Sequence, residues 1–401
     1  MRRRTEFALA VLVATCLFAS IALAETKTRL PKVQFMKEDP FKGPDYPGLR
    51  KGFLTLEMGD VSIYFSAMLQ VQAAFFTQSG ALLVNGDPAE QAGFKLRRSR
   101  FAIGGYVTHT IAFELELEVI KEAGEANLLA AWIGYERFPY AKFYLGAFKM
   151  PFSKSAMTSS AYLQLIERPL SVDMMAPYHQ LGFMITGSVW HDRFSYQVGI
   201  FNGLARKPTA LEGYETGIGA SLGNRLSRYV TMVRLDFEPL GKIDPAPADF
   251  ARNKFLFGMG AGYFFNDGKS IRIHAVSANL QMKAYGFSML AEFLFDQTEP
   301  TRNQNEAITL SARVRRMAAY AQLAYMIITK PLGLELAFRA EWLDDNRSVK
   351  DEGDQIVLTG GLNIYFIRNV AKFQINYVHR LELHGQEIKN NTVFAQLSLA
   401  F

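Results

Sequence analysis

The 401 residues carry 44 Lys and Arg against 38 Asp and Glu, a net charge of +6, with 13% aromatics and a single cysteine. The positive balance is mild and has no basic tail, which argues against a nucleic-acid partner. Cys16 lies in the N-terminal apolar run, so once that run is removed disulfides, thiol nucleophiles and Cys-based metal sites are all excluded.

Residues 1–24 read as an export signal. Arg2, Arg3 and Arg4 precede an apolar run over 7–23, and Ala22-Leu23-Ala24 supplies small residues for cleavage before Glu25. A retained membrane anchor is the weaker reading because the run is short, and lipoprotein cleavage at Cys16 would leave it shorter still. Residues 25–59 are rich in Pro, Lys and Gly without a sustained period, so a periplasmic lead segment is expected there rather than a domain. Its Lys27, Arg29, Lys32, Lys37 and Lys42 could meet an acidic partner; a solvated, loosely ordered linker is the expectation.

The uncharged stretch 61–86 is long enough for a spanning helix but has the wrong period. Val61, Ile63, Phe65, Ala67, Leu69, Val71, Ala73 and Phe75 share one face, while Ser62, Ser66, Gln70 and Gln72 fall on the other. The same alternation recurs at Ile111, Phe113, Leu115 and Leu117 against Glu114, Glu116 and Glu118. It returns at Leu334, Leu336 and Phe338 against Glu335 and Arg339, and at Phe373, Ile375 and Tyr377 against Lys372, Gln374 and Asn376. Alternation alone also suits a soluble sandwich. Three features decide for a transmembrane antiparallel β-barrel over 60–401. The segments have the roughly 9–11 residues that a tilted bilayer crossing needs. Aromatics gather at segment ends, as at Phe75-Phe76 and Tyr263-Phe264-Phe265. The final strand, Val393, Ala395, Leu397, Leu399 and Phe401, resembles the recognition signal of outer-membrane proteins.

Sixteen strands are expected, starting near 60, 94, 110, 126, 141, 182, 193, 228, 253, 270, 285, 317, 332, 354, 370 and 391. With the first rising from the periplasm, the long gaps 78–93, 150–181, 203–227, 298–316, 344–353 and 381–390 all fall outside. The connection 238–252 is the exception, long and Pro-rich on the periplasmic side, and leaves 16 or 18 strands open.

Two segments carry a sharper resemblance. Lys95-Leu96-Arg97-Arg98-Ser99-Arg100-Phe101-Ala102-Ile103-Gly104-Gly105 resembles the Arg-Arg-x-Arg strand of the phosphate-selective porin O and P family. Gly146-Ala147-Phe148-Lys149-Met150-Pro151-Phe152-Ser153, continuing through Thr158-Ser159-Ser160 to Ile166-Glu167-Arg168-Pro169-Leu170, is similar to that family's fifth strand and long third loop. The resemblance implies a 16-stranded barrel, usually trimeric, whose third loop folds inward to narrow the pore. Met157, Leu163, Leu165 and Ile166 agree with an inward fold, since a freely solvated loop needs no such residues; a surface loop covering a neighbouring subunit is the rival.

In that family, selectivity depends on Arg and Lys lining the pore. Taken strand by strand, the polar faces here place Arg98, Arg100, Arg234, Arg272, Arg339, Lys372 and Arg380 inward with Glu114, Glu116, Glu118, Asp236, Glu238, Glu292, Asp296, Glu335 and Glu341. This mixed, slightly acidic wall departs from a phosphate-specific lumen. The pore-lining candidates are Arg97, Arg98, Arg100, Glu114, Glu116, Lys149, Lys154, Glu167, Arg168, Arg313, Arg315, Arg316, Arg339 and Lys372. The clusters Arg97-Arg98-Arg100 and Arg313-Arg315-Arg316 either draw anions to the constriction or pair with lumen carboxylates and stiffen the wall; pairing is the more expected. Gly258, Gly260 and Gly262 share a face that would leave room for the third loop.

The acidic run Asp344, Asp345, Asp351, Glu352 and Asp354 could hold divalent cations bridging lipopolysaccharide, but a solvated loop is expected. Ser195, His191 and Asp192 are close in sequence, yet His191 and Asp192 fall in an expected periplasmic turn, and the histidines at 109, 179, 191, 274, 379 and 384 show no metal-ligand pattern, so no enzyme, cofactor or metal is expected. The reading is an outer-membrane porin, a passive channel for small hydrophilic solutes including anions such as phosphate. It would sit among outer-membrane lipid and lipopolysaccharide as a homotrimer. The alternative is a structural or adhesive barrel without a conducting pore.

Overall fold

The computed structural model describes residues 32–35, 54–76, 92–119, 127–206, 213–215, 229–268, 271–301, 312–388 and 390–401. The expected export signal 1–24 lies outside the described residues. The lead segment is described only at 32–35 and 54–59. There Lys32–Phe35 pairs with Leu54–Met58, which folds back antiparallel on Val61–Phe65, so these parts are strand rather than loose linker.

Sixteen antiparallel strands form one ring. In chain order they are β1 Val61–Phe76, β2 Gly93–Tyr106, β3 Ile111–Glu118, β4 Asn127–Phe138, β5 Ala141–Lys149, β6 His179–Val189, β7 Phe194–Asn202 and β8 Tyr229–Phe237. The second half comprises β9 Leu256–Asp267, β10 Ile271–Ala284, β11 Phe287–Pro300, β12 Val314–Ile328, β13 Gly333–Asp344, β14 Gln355–Ile367, β15 Ala371–Glu382 and β16 Thr392–Ala400. The last strand closes on the first, from Thr392 opposite Phe76 to Ala400 opposite Met68, and Ala67 and Phe401 exchange backbone hydrogen bonds of 2.6 and 2.9 Å. Closure leaves the sixteen-strand ring itself without an edge, the condition for a sheet to stand in hydrocarbon.

Alternation sorts each strand into two faces. On β1, Tyr64, Ser66, Met68, Gln70 and Gln72 are buried inside while Leu69, Val71 and Phe75 are exposed outside. On β3 the three glutamates are buried and Ile111 is exposed. Each strand starts within three residues of its expected position, because the period of two switches off wherever a turn residue enters. Tyr285 and Gly286 illustrate the tight turns at the inner end. Both have positive φ (52° and 95°), the combination that joins two strands of matching twist.

The exceptional connection 238–252 adds no strands. It folds across the inner mouth. Lys283 donates to the carbonyl of Asp244 at 3.0 Å, the Asp249 carboxylate accepts from Gly286 N at 2.8 Å, and Phe250 packs edge-on against Tyr365 of β14 at 4.8 Å. Ala246 joins a buried apolar cluster that includes Met68 of β1 and Ala400 of β16. The length and prolines reflect a segment that crosses the lumen, and the strand count is 16.

Candidate functional site in the barrel lumen

The third external connection leaves β5 and turns into the ring as α1 Lys154–Met157, a short turn Ser160–Tyr162 and α2 Leu170–Met175. Inward side chains from widely separated strands hold it. Arg234 of β8 donates to the Phe152 carbonyl at 2.7 Å. Glu292 of β11 accepts from Ser153 Oγ and Lys154 N, at 3.0 and 2.8 Å. Glu335 and Glu341 of β13 accept from Gln164 and from Leu170 N at 2.8 and 3.0 Å. Lys372 and Asn376 of β15 bond the Leu163 carbonyl and Ile166 N, both at 2.6 Å. A segment tied to strands on opposite sides of a ring lies within it. Gly262 makes this approach possible, because a Cβ there would stand 2.6 Å from the Phe152 carbonyl.

The contact on the remaining wall is an arginine pair. Gln70 lies opposite Arg98 but Val71 lies opposite Leu96, so Arg97 is the extra residue of a β-bulge. The bulge breaks the alternation and turns two consecutive arginines to the same side. Arg97 grips Glu167 with Nε and Nη2 at 2.7 and 3.0 Å, and Arg98 Nη2 reaches it at 3.4 Å. Gln72 donates to the same carboxylate at 2.9 Å. Burial alone would push the Glu167 carboxyl up; Arg97 and then Arg98 outweigh it and hold the group well below the usual carboxylate range.

Arg168 is buried and donates to the carbonyls of Ser155 and Thr158 at 3.1 and 2.6 Å, with its guanidinium over the Tyr178 ring. It ties the loop to itself. Arg339 donates to the carbonyls of Glu167 and Arg168, at 3.0 and 3.3 Å. Lys149 does the same at Met157 and Thr158, at 3.1 and 3.2 Å, while the backbone N–H of Lys154 caps Glu292. Arg316 is fully buried against Asp296, which also accepts from Tyr214 at 2.5 Å.

Three arginines stand elsewhere than the strand patterns suggest. Arg315 is exposed on the outward face of β12, its Nε on Gln297 Oε1 at 2.8 Å, and only its neighbour Arg316 turns inward. Arg313 sits at the outer rim on Glu299 at 2.8 Å. Arg272 faces outward near Asp267, because on β10 the buried residues are Ile271, Ile273, Ala275 and Ser277. Near a strand end, hydrophobic residues turn inward against the loops, so the polar face no longer marks the lumen.

Exposure locates the remaining passage. Arg234, Arg316 and Lys372 are 0% exposed, whereas the side chains of Arg97, Arg100 and Lys142 on the opposite wall are 29, 16 and 30% exposed. The more exposed basic side chains therefore lie on β2 and at the start of β5, beside buried carboxylates of β3. From the outer end this wall presents Arg97 and Arg98, then Arg100 paired to Glu118 at 2.6 Å and Glu116 at 3.8 Å. Deeper lie Glu114, accepting from Tyr64 at 2.5 Å, and Glu136, which takes Tyr144 and Lys142 at 2.7 and 3.1 Å. Gln72, Tyr64 and Glu136 belong to this path and were missed as site residues, although their polar character on the inward face was visible in the sequence.

The acidic external run bonds internally: Asp351 accepts from Gly353 N at 2.9 Å, and Asp354 holds His384 at 2.9 Å. Among the described residues no group of three or more His, Cys, Asp or Glu has metal-binding geometry. Asp192 takes the hydroxyl of Ser188 rather than joining Ser195.

The family model described as phosphate-selective porin O and P matches residues 65–397. An uncharacterised protein of Aquifex aeolicus (strain VF5) is 23% identical over 273 residues, 64% of this chain, and the match spans about 63% of the length of that relative. Among solved structures, an anion-selective porin from Comamonas acidovorans is similar with a TM-score of 0.55 at 9% identity, covering 85% of this chain and 100% of that one. A trimer form of in-vitro folded OmpT, an outer membrane protein of Vibrio cholerae, is similar at 0.52 and 9% identity, covering 85% and 99%.

Proposed function

This chain belongs to the phosphate-selective porin O and P family, and from that membership we propose a passive diffusion channel that passes small hydrophilic solutes with a preference for small anions such as phosphate. The family and the barrel put it in the bacterial outer membrane. The observation that supports the anion preference is the bulge at Arg97: two guanidiniums share the single carboxylate of Glu167 on the solvent-reached wall. Further along the path each positive charge is matched or outnumbered, since Arg100 faces both Glu116 and Glu118. A guanidinium fork replaces water around an oxyanion, so the bias arises at the outer approach, and the carboxylates below keep it modest. The candidate lining residues act within this proposal as a basic entry followed by an acidic exit. Assembly is proposed to be homotrimeric, as in the OmpT trimer form, within outer-membrane lipid and lipopolysaccharide.

One observation favours a second reading. The inward loop and the segment 238–252 share one buried apolar cluster inside the ring, with Tyr162 and Ala246 among its members, which would suit a structural barrel. Purified protein in a planar bilayer separates the two. Stepwise ion conductance is expected, with a reversal potential in a salt gradient on the anion-selective side; a silent bilayer rejects the channel.

A further inference from the structure

A second stretch of chain enters the ring beside the third external connection. The fourth one leaves β7 at Asn202 and is described at 203–206 and 213–215. Asn266 of β9 holds its stem, accepting from Leu204 N at 2.9 Å and donating to the Leu204 carbonyl at 3.3 Å. Ala205–Arg206 then pairs with Tyr214–Glu215 as a short antiparallel ladder. Tyr214 is buried and engaged three ways. Its hydroxyl donates to Asp296 at 2.5 Å, the Arg316 guanidinium lies over its ring at 5.3 Å, and Phe264 meets it edge-on at 5.7 Å. A ring bonded at its tip, covered by a cation and packed edge-on by a second ring is a rigid wedge.

The wedge stands against the inward loop. Phe264 packs edge-on on Phe152, where the third external connection begins, at 4.9 Å. Next to Tyr214, Gly213 lies so close to α2 that a Cβ on it would stand 2.3 Å from the Asp173 carbonyl oxygen. This support falls where the wall offers least. Among the described residues, hydrogen bonds from the strands reach α2 only at Leu170 and Ser171, through Glu341. Beyond them Val172, Met174 and Met175 are held by packing, in the buried cluster that also contains Phe152, Leu204, Tyr214 and Phe264.

We propose that Tyr214 is a positioning residue for the constriction: the fourth external connection wedges its ring behind α2 and so fixes where the third one stands in the ring. Its effect on flow rests on the channel reading above; the bracing of the loop does not. The test uses full-length protein in detergent micelles and in planar bilayers. In Tyr214→Ala, backbone amide hydrogen exchange over 152–175 is expected to accelerate on the order of tenfold while the sixteen strands keep wild-type protection. Single-channel conductance is expected to rise. Tyr214→Phe keeps the ring over Arg316 and is expected to match the wild type in both measurements. Gly213→Ala presses on the Asp173 carbonyl with Tyr214 intact and is expected to change exchange in the same segment. Wild-type exchange over 152–175 in both Tyr214→Ala and Gly213→Ala, equal acceleration throughout the barrel, or a Tyr214→Phe loop as loose as that of Tyr214→Ala would overturn the wedge. A silent wild-type protein instead rejects the channel, and the exchange rates still decide the bracing.

Discussion

Arg97 and Arg98 are consecutive in a strand, yet both reach the carboxylate of Glu167, at 2.7 and 3.4 Å. In an unbroken strand one would point into lipid. The bulge removes that conflict and places two positive charges on one negative charge at the solvent-reached wall.

Selectivity should follow that imbalance. Glu167→Gln leaves the pair uncompensated and is expected to raise the anion-to-cation permeability ratio, while Arg97→Ala lowers it. The shift, on the order of severalfold for one charge in a narrow pore, is measured as a reversal potential in a potassium chloride gradient. Identical potentials in wild type and both variants would refute the role of the pair.

Acid should weaken the same clamp. The Glu167 carboxyl is held below its ordinary value, so its contribution is fully present above the unfolded carboxylate range, about pH 4.3, and is lost as pH falls through the lower folded value. The stability difference between wild type and Glu167→Gln is therefore expected to be flat from pH 8 to about pH 5 and to shrink on further acidification. Denaturant unfolding across that range checks it; a difference that grows in acid contradicts the assignment.

Neighbouring arginines on β12 should behave very differently. Arg316→Ala leaves Asp296 buried without its cation and is expected to cost about 3–5 kcal/mol. Arg315→Ala removes an exposed side chain and should stay within about 0.5 kcal/mol. Urea midpoints of the two variants give the comparison, and similar losses would mean the two faces are wrongly assigned.

Gly262→Val forces a side chain into the space of the Phe152 carbonyl. Overpacking of this kind costs about 1–3 kcal/mol, and displacement of the loop should also alter single-channel conductance. A variant with wild-type conductance and melting temperature would show that the loop does not approach β9 this closely.

The sequence revealed the ring because membrane strands repeat a period of two over many residues, and sixteen repetitions leave little room for error. It named both Arg97 and Arg98 as pore-lining but could not reveal the bulge that lets consecutive residues share a face, since that depends on the register with the partner strand. Arg315 was assigned to the pore because Arg313, Arg315 and Arg316 are close along the chain, although pleating sends neighbours to opposite faces. The segment 238–252 advertised its oddity through length and prolines, but its destination depends on Met68, Ala400 and Tyr365, all distant in sequence.

The third external connection is moored to β8, β11, β13 and β15 and, through Glu167, to β2. A flap fastened along one bank can swing; a crossbar fastened to both banks cannot move without releasing an anchorage. Throughput in such a molecule is governed like flow through a fixed mesh, by the girth and charge of the particle rather than by a shutter.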